Sequence, residues 1–381
     1  MINSEENIRQ TSLAEGPTHS QNLRYNPSLD HVRFLAFFLV FCFHVYGAYL
    51  PFGVVRKISL FTGIVTEGYT GVTLFFVLSG FLFMSIALDA DRLSYKDFMF
   101  NRALRIYPLF LFIFFIAISI NTATFMPANI LYVLFTNLGG PPTSVSVITG
   151  AAWTISVEFT FYLIFPFLAT SAKQKGPVYL VQFLLVMLVI RLVTYAVSEQ
   201  PTHVYYSTLI GRFDQFLIGM LAAQVTNRLD IKLRLCRIVL VIGIVAIIVM
   251  VWIQGRHAPL AHPQHRQPLW IIWGIIEATC WAIFIVGYSR SEVPWPALFA
   301  KWLRRGGELS YSLYLMHMIA VMLLLRYMGP LAVGYSNWIL FSLNGVLALA
   351  LTWIVSSLTF RVIEQPFLGM RRRYVGGSTG T

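Results

Sequence analysis

The sequence predicts an all-α integral membrane protein, a bundle of about ten transmembrane helices with both termini in the cytoplasm. Three observations predict it. Of 381 residues, 57% are hydrophobic and only 12% are charged, against about 25% charged in soluble chains, so the chain is short of residues that face water. The apolar material falls into blocks that approach the roughly 20 residues needed to cross a bilayer as a helix. Lys and Arg collect in short clusters between those blocks.

Taken in order, residues 1–28 are polar, rich in Ser, Asn and Gln, and lack a cleavable apolar core. They read as a disordered cytoplasmic tail. The transmembrane domain follows over 29–368, and 369–381 form a basic cytoplasmic tail. Hydrophobicity gives candidate spans at 34–50, 71–89, 107–124, 153–170, 177–196, 206–225, 236–254, 269–287, 309–328 and 337–360. The first would serve as an uncleaved signal anchor, and Pro108 would start the third. The stretch 126–138 is apolar but short, fitting a re-entrant or interfacial piece.

Charge sets the orientation. With the N-terminus inside, the inside segments hold Arg9, Arg24 and Arg33; Arg92, Lys96, Arg102 and Arg105; Lys173 and Lys175; Arg228, Lys232, Arg234 and Arg237; Arg290, Lys301, Arg304 and Arg305; and Arg361, Arg371, Arg372 and Arg373. These are about 21 of the 28 Lys and Arg residues, as the positive-inside rule requires. The connection 121–152 carries no charged residue, which fits an outside loop. The net charge of +12 does not imply nucleic acid, because the basic residues form no continuous polar face. Cys42, Cys236 and Cys280 lie in or beside apolar segments, without a disulfide framework or a CxxC pattern. His257, His262 and His265 share one connection but lack a carboxylate or thiolate partner, so a solvated loop is expected there and no metal site.

Ionisable residues inside spans are costly and are functional candidates by default. His44 follows Arg33 by eleven positions, which places both side chains on one helix face about 16 Å apart. Arg33 would lie at the cytoplasmic mouth and His44 near the membrane centre, with Asp30 close enough to orient the guanidinium. A hydrogen-bonded core role for His44 is the plain alternative. Arg102 and Arg105 share a face at the start of the third span; headgroup snorkelling explains such a pair equally well, but with Arg33 they would form a guanidinium cluster able to bind phosphates. Glu158 lies about 8 Å along its helix from Trp153 and needs a partner or a proton. His317 lies about 14 Å into the ninth span, whose cytoplasmic half carries Ser310, Tyr311, Ser312 and Tyr314, as a helix lining a wet cavity would. Interhelical hydrogen bonding is the alternative for that face. Asp214, two residues from Arg212, suits a local ion pair or a helix-end role as well as a catalytic one. Glu277 has no partner evident in the sequence.

Seven segments, LDHVRFLAFFLVFCFHV, GVTLFFVLSGFLF, NRALRIYP, WTISVEFTFYLIFP, GRFDQFLIGMLAA, GELSYSLYLMH and VIEQPF, run in that order across residues 29–367. Together they resemble the acyltransferase-3 family of bacterial membrane O-acyltransferases. The resemblance implies a multi-pass protein of the bacterial inner membrane with about ten helices. It also implies a coenzyme A thioester donor, usually acetyl-CoA, used as a substrate with no permanently bound cofactor. The implied acceptor is a carbohydrate, such as O-antigen, exopolysaccharide or lipochitooligosaccharide sugars, and it can be lipid-linked. The family's arginine-to-histidine pattern falls on Arg33 and His44, its paired arginines on Arg102 and Arg105, and its fourth-span carboxylate on Glu158. Met316 stands where the family often has tryptophan, and Gln365 where it often has arginine. Some relatives carry a fused periplasmic hydrolase-like domain; this chain is expected to complete transfer unaided or with a separate partner.

On this reading His44 and Glu158 are the catalytic candidates, and Arg33, Arg102, Arg105, Asp30, Tyr311 and His317 the substrate-binding ones. Neutral His44 would act as general base on the acceptor hydroxyl, oriented by Glu158, or would carry the acyl group itself. A transporter is the competing class, since polar midplane residues also mark transport paths, but paired broken segments in two comparable halves are lacking.

Overall fold

Helix α1 (Pro27–Tyr49) starts where the chain turns from polar to apolar. Asn26 caps it, accepting from the Ser28 amide at 3.0 Å, Pro27 fills its first turn and Asp30 lies beside the helix N-terminus. All three suit the unpaired N–H groups of that end. The helix thus begins about two turns before the expected position 34, which takes Asp30 and Arg33 into it. The computed structural model describes residues 22, 25–52, 62–120, 153–199, 201–229, 232–257, 266–331, 333 and 337–376. Most of the N-terminal tail, the loop 121–152 with its apolar piece 126–138, His262, His265 and residues 377–381 lie outside the described residues.

After a 3₁₀ turn come α2 (Gly63–Thr66), α3 (Thr70–Asp89), strand β1 (Arg92–Leu93) and α4 (Tyr95–Ile120). Next follow α5 (Trp153–Lys175), α6 (Pro177–Val197), α7 (Pro201–Ser207), α8 (Leu209–Arg228) and α9 (Leu233–His257). The chain continues with α10 (Trp270–Arg290), α11 (Ala297–Glu308), α12 (Ser310–Tyr327) and α13 (Asn337–Thr359). A π-helical turn (Phe360–Glu364), α14 (Gln365–Leu368) and strand β2 (Val375–Gly376) complete it. Among the described residues nine helices are long and apolar enough to cross a membrane, and the chain is a multi-pass membrane protein.

Two of the spans differ from expectation in polarity or length beyond the early start of α1. The stretch expected as a sixth span is α8, whose 20 residues reach about 30 Å. Arg212, Asp214, Gln215 and Gln224 make it too polar to count by apolarity, and all four are buried in protein, where lipid does not set the composition. Helix α4 begins at Tyr95 and runs through Pro108, so the third span is longer than expected and both arginines are helical. Proline inside a helix removes one i to i−4 hydrogen bond; next to this gap the Tyr311 hydroxyl donates to the Ile106 carbonyl at 2.7 Å.

Glycines set the closest helix approaches. Gly80 of α3 faces the Phe216 carbonyl of α8, and Gly219 of α8 faces the Val77 carbonyl of α3, so a side chain at either would strike backbone. Gly306 and Gly307 seat the end of α11 on the Phe34 ring and the Asp30 backbone of α1 in the same way. Helix α11 is amphipathic: Leu298, Phe299 and Trp302 are exposed while Lys301, Arg304 and Arg305 occupy other faces, the character of a helix lying in a membrane interface.

The segments that charge assigned to one side meet at one end of the bundle. Asn26 donates to the Ser289 carbonyl at 3.1 Å, Lys173 to that of Ala87 at 2.8 Å, and Arg290 to that of Leu229 at 3.2 Å. Asn101 bonds the Arg372 backbone, and the Tyr374 amide donates to Asn22 at 2.8 Å. At the other end Arg266 donates to the Tyr195 carbonyl at 2.6 Å. There Arg191 of α6, buried to 1% exposure, pairs with Asp214 of α8 at 2.7 Å and donates to the carbonyls of Trp270 and Gly211. Asp214 therefore takes its ion pair from another helix rather than from neighbouring Arg212. Glu277 is hydrogen-bonded by Thr70 and Thr73 and lies within the field of Arg212.

Candidate active site

On α5, Thr154, Glu158 and Tyr162 recur every four residues and so share one face. On α12, Tyr311, Tyr314 and His317 recur every three. These two faces, with the first turns of α1 and the middle of α3 and α4, enclose a cavity of about 250 Å³ at the arginine end of the bundle. Asp30, Arg33, Arg102, Arg105, Glu158 and Tyr311 all line it. Six of the eight residues singled out in the sequence are thus brought together from four helices, and the two histidines lie beyond the cavity.

Each arginine is held differently. Arg33 pairs with Asp30, three residues earlier on α1. Arg105 pairs with Glu364 at 3.2 Å and lies over the Tyr311 ring, 5.4 Å from its centroid. Arg102 forms no ion pair among the described residues; it rests on the Phe83 ring at 4.9 Å and faces Phe98 and Tyr162. Aromatic faces hold a guanidinium by cation–π attraction without neutralising it, so this charge stays available to the cavity. Glu364, which also accepts from Ser312, is a buried anchor that sequence reasoning missed. It stands in the VIEQPF segment, and an acidic residue directly after the last apolar span was the available signal.

Glu158 accepts hydrogen bonds from Tyr162 on its own helix and from Ser79 of α3 at 3.1 Å. The ring bonded to His44 is that of His317. Thr154 and Tyr314, joined by a hydroxyl hydrogen bond of 3.2 Å, line the cavity, and the histidine pair follows one turn further along α12. His317 Nδ1 lies 2.6 Å from the Tyr314 carbonyl, and its Nε2 lies 2.9 Å from His44 Nδ1. A carbonyl can only accept, so Nδ1 of His317 carries a proton. With both rings neutral, Nε2 of His317 is then the acceptor and His44 Nδ1 the donor. That network leaves the lone pair of His44 on Nε2. His317 is fully buried, whereas His44 keeps part of its surface accessible. Phe37 and Phe41, about two turns and one turn before His44, flank His317 at 6.1 and 6.5 Å between ring centroids.

Fold and site define a class: a multi-pass membrane protein with an arginine-rimmed cavity at one end and a hydrogen-bonded histidine pair deeper in the bundle. The family described as an acyltransferase domain matches residues 26–357, from the cap of α1 into α13, and the chain belongs to that family. It is 27% identical to the peptidoglycan O-acetyltransferase OatA of Listeria monocytogenes, over 90% of this chain and 56% of the relative. It is 25% identical to the putative peptidoglycan O-acetyltransferase YrhL of Bacillus subtilis, over 91% and 55%. Identity to the O-acetyltransferase OatA of Staphylococcus aureus is 24%, over 90% and 57%. The chain therefore spans a little over half the length of these curated relatives. No solved structure matches it at a significant level.

Proposed function

We propose that this protein is an O-acyltransferase of the bacterial inner membrane that moves an acetyl group from cytosolic acetyl-CoA to a hydroxyl of a cell-envelope carbohydrate. The observation that carries the reading is the line from cations to base: Arg33, Arg102 and Arg105 at one end of the bundle and the His44 lone pair further along α1. The relatives' names add peptidoglycan to the candidate acceptors and favour acetyl as the group moved. The arginine end, where the positively charged segments gather, faces the cytoplasm.

The cationic rim suits the phosphates of the thioester, and the cavity lined by Ser79, Glu158 and Tyr314 suits its thin amide-bearing arm. As the acceptor oxygen attacks the thioester carbonyl carbon, its proton passes to Nε2 of His44. The carbon–sulfur bond then breaks, and the proton held on Nε2 of His44 passes to the leaving thiolate, which restores the neutral ring. The positive charge that forms on His44 is shared with His317 through the Nδ1–H hydrogen bond, the part a carboxylate plays in other relays. Glu158, bonded to Tyr162 and Ser79, lines the donor's path.

The test uses purified protein, labelled acetyl-CoA and isolated envelope polysaccharide, peptidoglycan included. Wild type is expected to place label on the glycan and His44→Ala to place none. His44→Ala transferring at the wild-type rate would refute the assignment. Label on His44 without acceptor would make it an acyl carrier instead of a base. Mass spectrometry of the envelope glycans with and without the gene locates the acetylated residue.

A further inference from the structure

A fourth arginine lines the same cavity, and it belongs to none of the spans. Arg371 lies in the segment after α14 that folds back across the arginine end, and that segment is firmly pinned. Asn101 of α4, only 1% exposed, holds the Arg372 backbone from both sides: its Nδ2 donates to the carbonyl at 2.6 Å, and its Oδ1 accepts from the amide at 2.8 Å. Two residues on, Tyr374 is buried edge-on against Phe98, with centroids 5.5 Å apart. Strand β2 then pairs antiparallel with β1. A buried amide spent on backbone 271 residues away fixes where residue 371 sits.

The placement runs against the local field. Burial, together with the charges of Arg105, Arg102 and Arg33, lowers the pKa of Arg371. Carboxylates answer part of this charge: Asp30 pairs with Arg33 and Glu364 with Arg105, Glu364 also feels Arg371, and Glu158 lines the same cavity. A guanidinium held by the backbone clamp in a cavity that three others already line suits an anion carrying several charges, because the planar fork matches phosphate oxygens two at a time.

We propose that Arg371 is a donor-binding residue that supplies an additional guanidinium to the phosphates of the nucleotide thioester, with Asn101 as the positioning residue that holds it there. The assignment rests on the thioester reading above and extends it: the segment after the last span is part of the donor site.

The test is calorimetric titration of the full chain in phosphatidylcholine nanodiscs with coenzyme A and, separately, with pantetheine, which has no phosphate. Arg371→Gln is expected to weaken coenzyme A binding about 10- to 100-fold, the range for losing a hydrogen bond to a charged group, and to leave pantetheine binding unchanged. Arg371→Lys should lose less, and Arg373→Gln, exposed on the same segment, should lose nothing. Wild-type affinity in Arg371→Gln overturns the proposal, and so does equal loss for both ligands, which marks a structural role. Wild-type protein that binds no coenzyme A removes the thioester reading and this assignment together; the other two outcomes remove only the assignment.

Discussion

His317 occupies the position in which a carboxylate was expected. Its Nδ1 is committed to the Tyr314 carbonyl and its Nε2 to His44, so its effect on His44 is to hold one tautomer and one ring orientation. His317→Ala should lower kcat about 100-fold, comparable to losing one general acid–base contribution, with KM for acetyl-CoA unchanged. Steady-state kinetics at saturating acceptor separates the two. The alignment of Arg33 with His44 was legible in the sequence because both lie on one helix, where spacing alone fixes direction. The partner of His44 was not, because it comes from a helix 273 residues away and nothing local distinguishes His317 from Glu158 as a candidate. For Arg102 and Arg105 the sequence left headgroup anchoring and phosphate binding equally open; the Phe83 ring under Arg102 and the Glu364 carboxylate and Tyr311 ring at Arg105, contributed by other elements, are what turn them into the cavity.

At the scale of elements, spans that face lipid announced themselves and spans that face protein did so less clearly. Helices α6 and α9 carry long exposed apolar faces, and their expected limits agree with the observed ones to within three residues. Helix α8 is surrounded by other helices, so its composition answers to their side chains and carbonyls. Its crossing with α3 depends on Gly80 and Gly219, and Gly80→Leu should destabilise the fold by about 1–3 kcal/mol, the usual cost of overpacking. Thermal melting in detergent, with Ser85→Leu on the same helix as a half-buried comparison, measures this. The interfacial helix α11 was missed because a span search counts continuous apolarity, whereas α11 alternates Leu298, Phe299 and Trp302 with Lys301, Arg304 and Arg305. The segment after α14 likewise read as a basic tail. Asn101→Ala should release it and weaken coenzyme A binding less than Arg371→Gln does, because Asn101 acts only by placing Arg371.

For the whole molecule, the charge count divided the connections into two sets, and the structure brings the residues of one set together at one end. Both described extremes of the chain are there, joined by the Tyr374 to Asn22 hydrogen bond. A single reporter cysteine at Arg373, introduced after Cys42, Cys236 and Cys280 are replaced by alanine, should react with an impermeant maleimide only in inside-out vesicles. Reaction in right-side-out cells would reverse the assigned orientation. The bundle as a class was legible because lipid constrains composition over whole segments. The cavity was not, since it is made where many elements meet and no segment contains it.

The join between Asn101 and Arg372 also sets an order of events during synthesis. The histidine pair can form once α12 has been inserted, but the segment that closes over the arginines leaves the ribosome only after the last span. A nascent chain can therefore join its two histidines before Arg371 reaches the cavity. The arginine end is closed last, so a bundle that lacks the segment after the final span keeps that end of the cavity open.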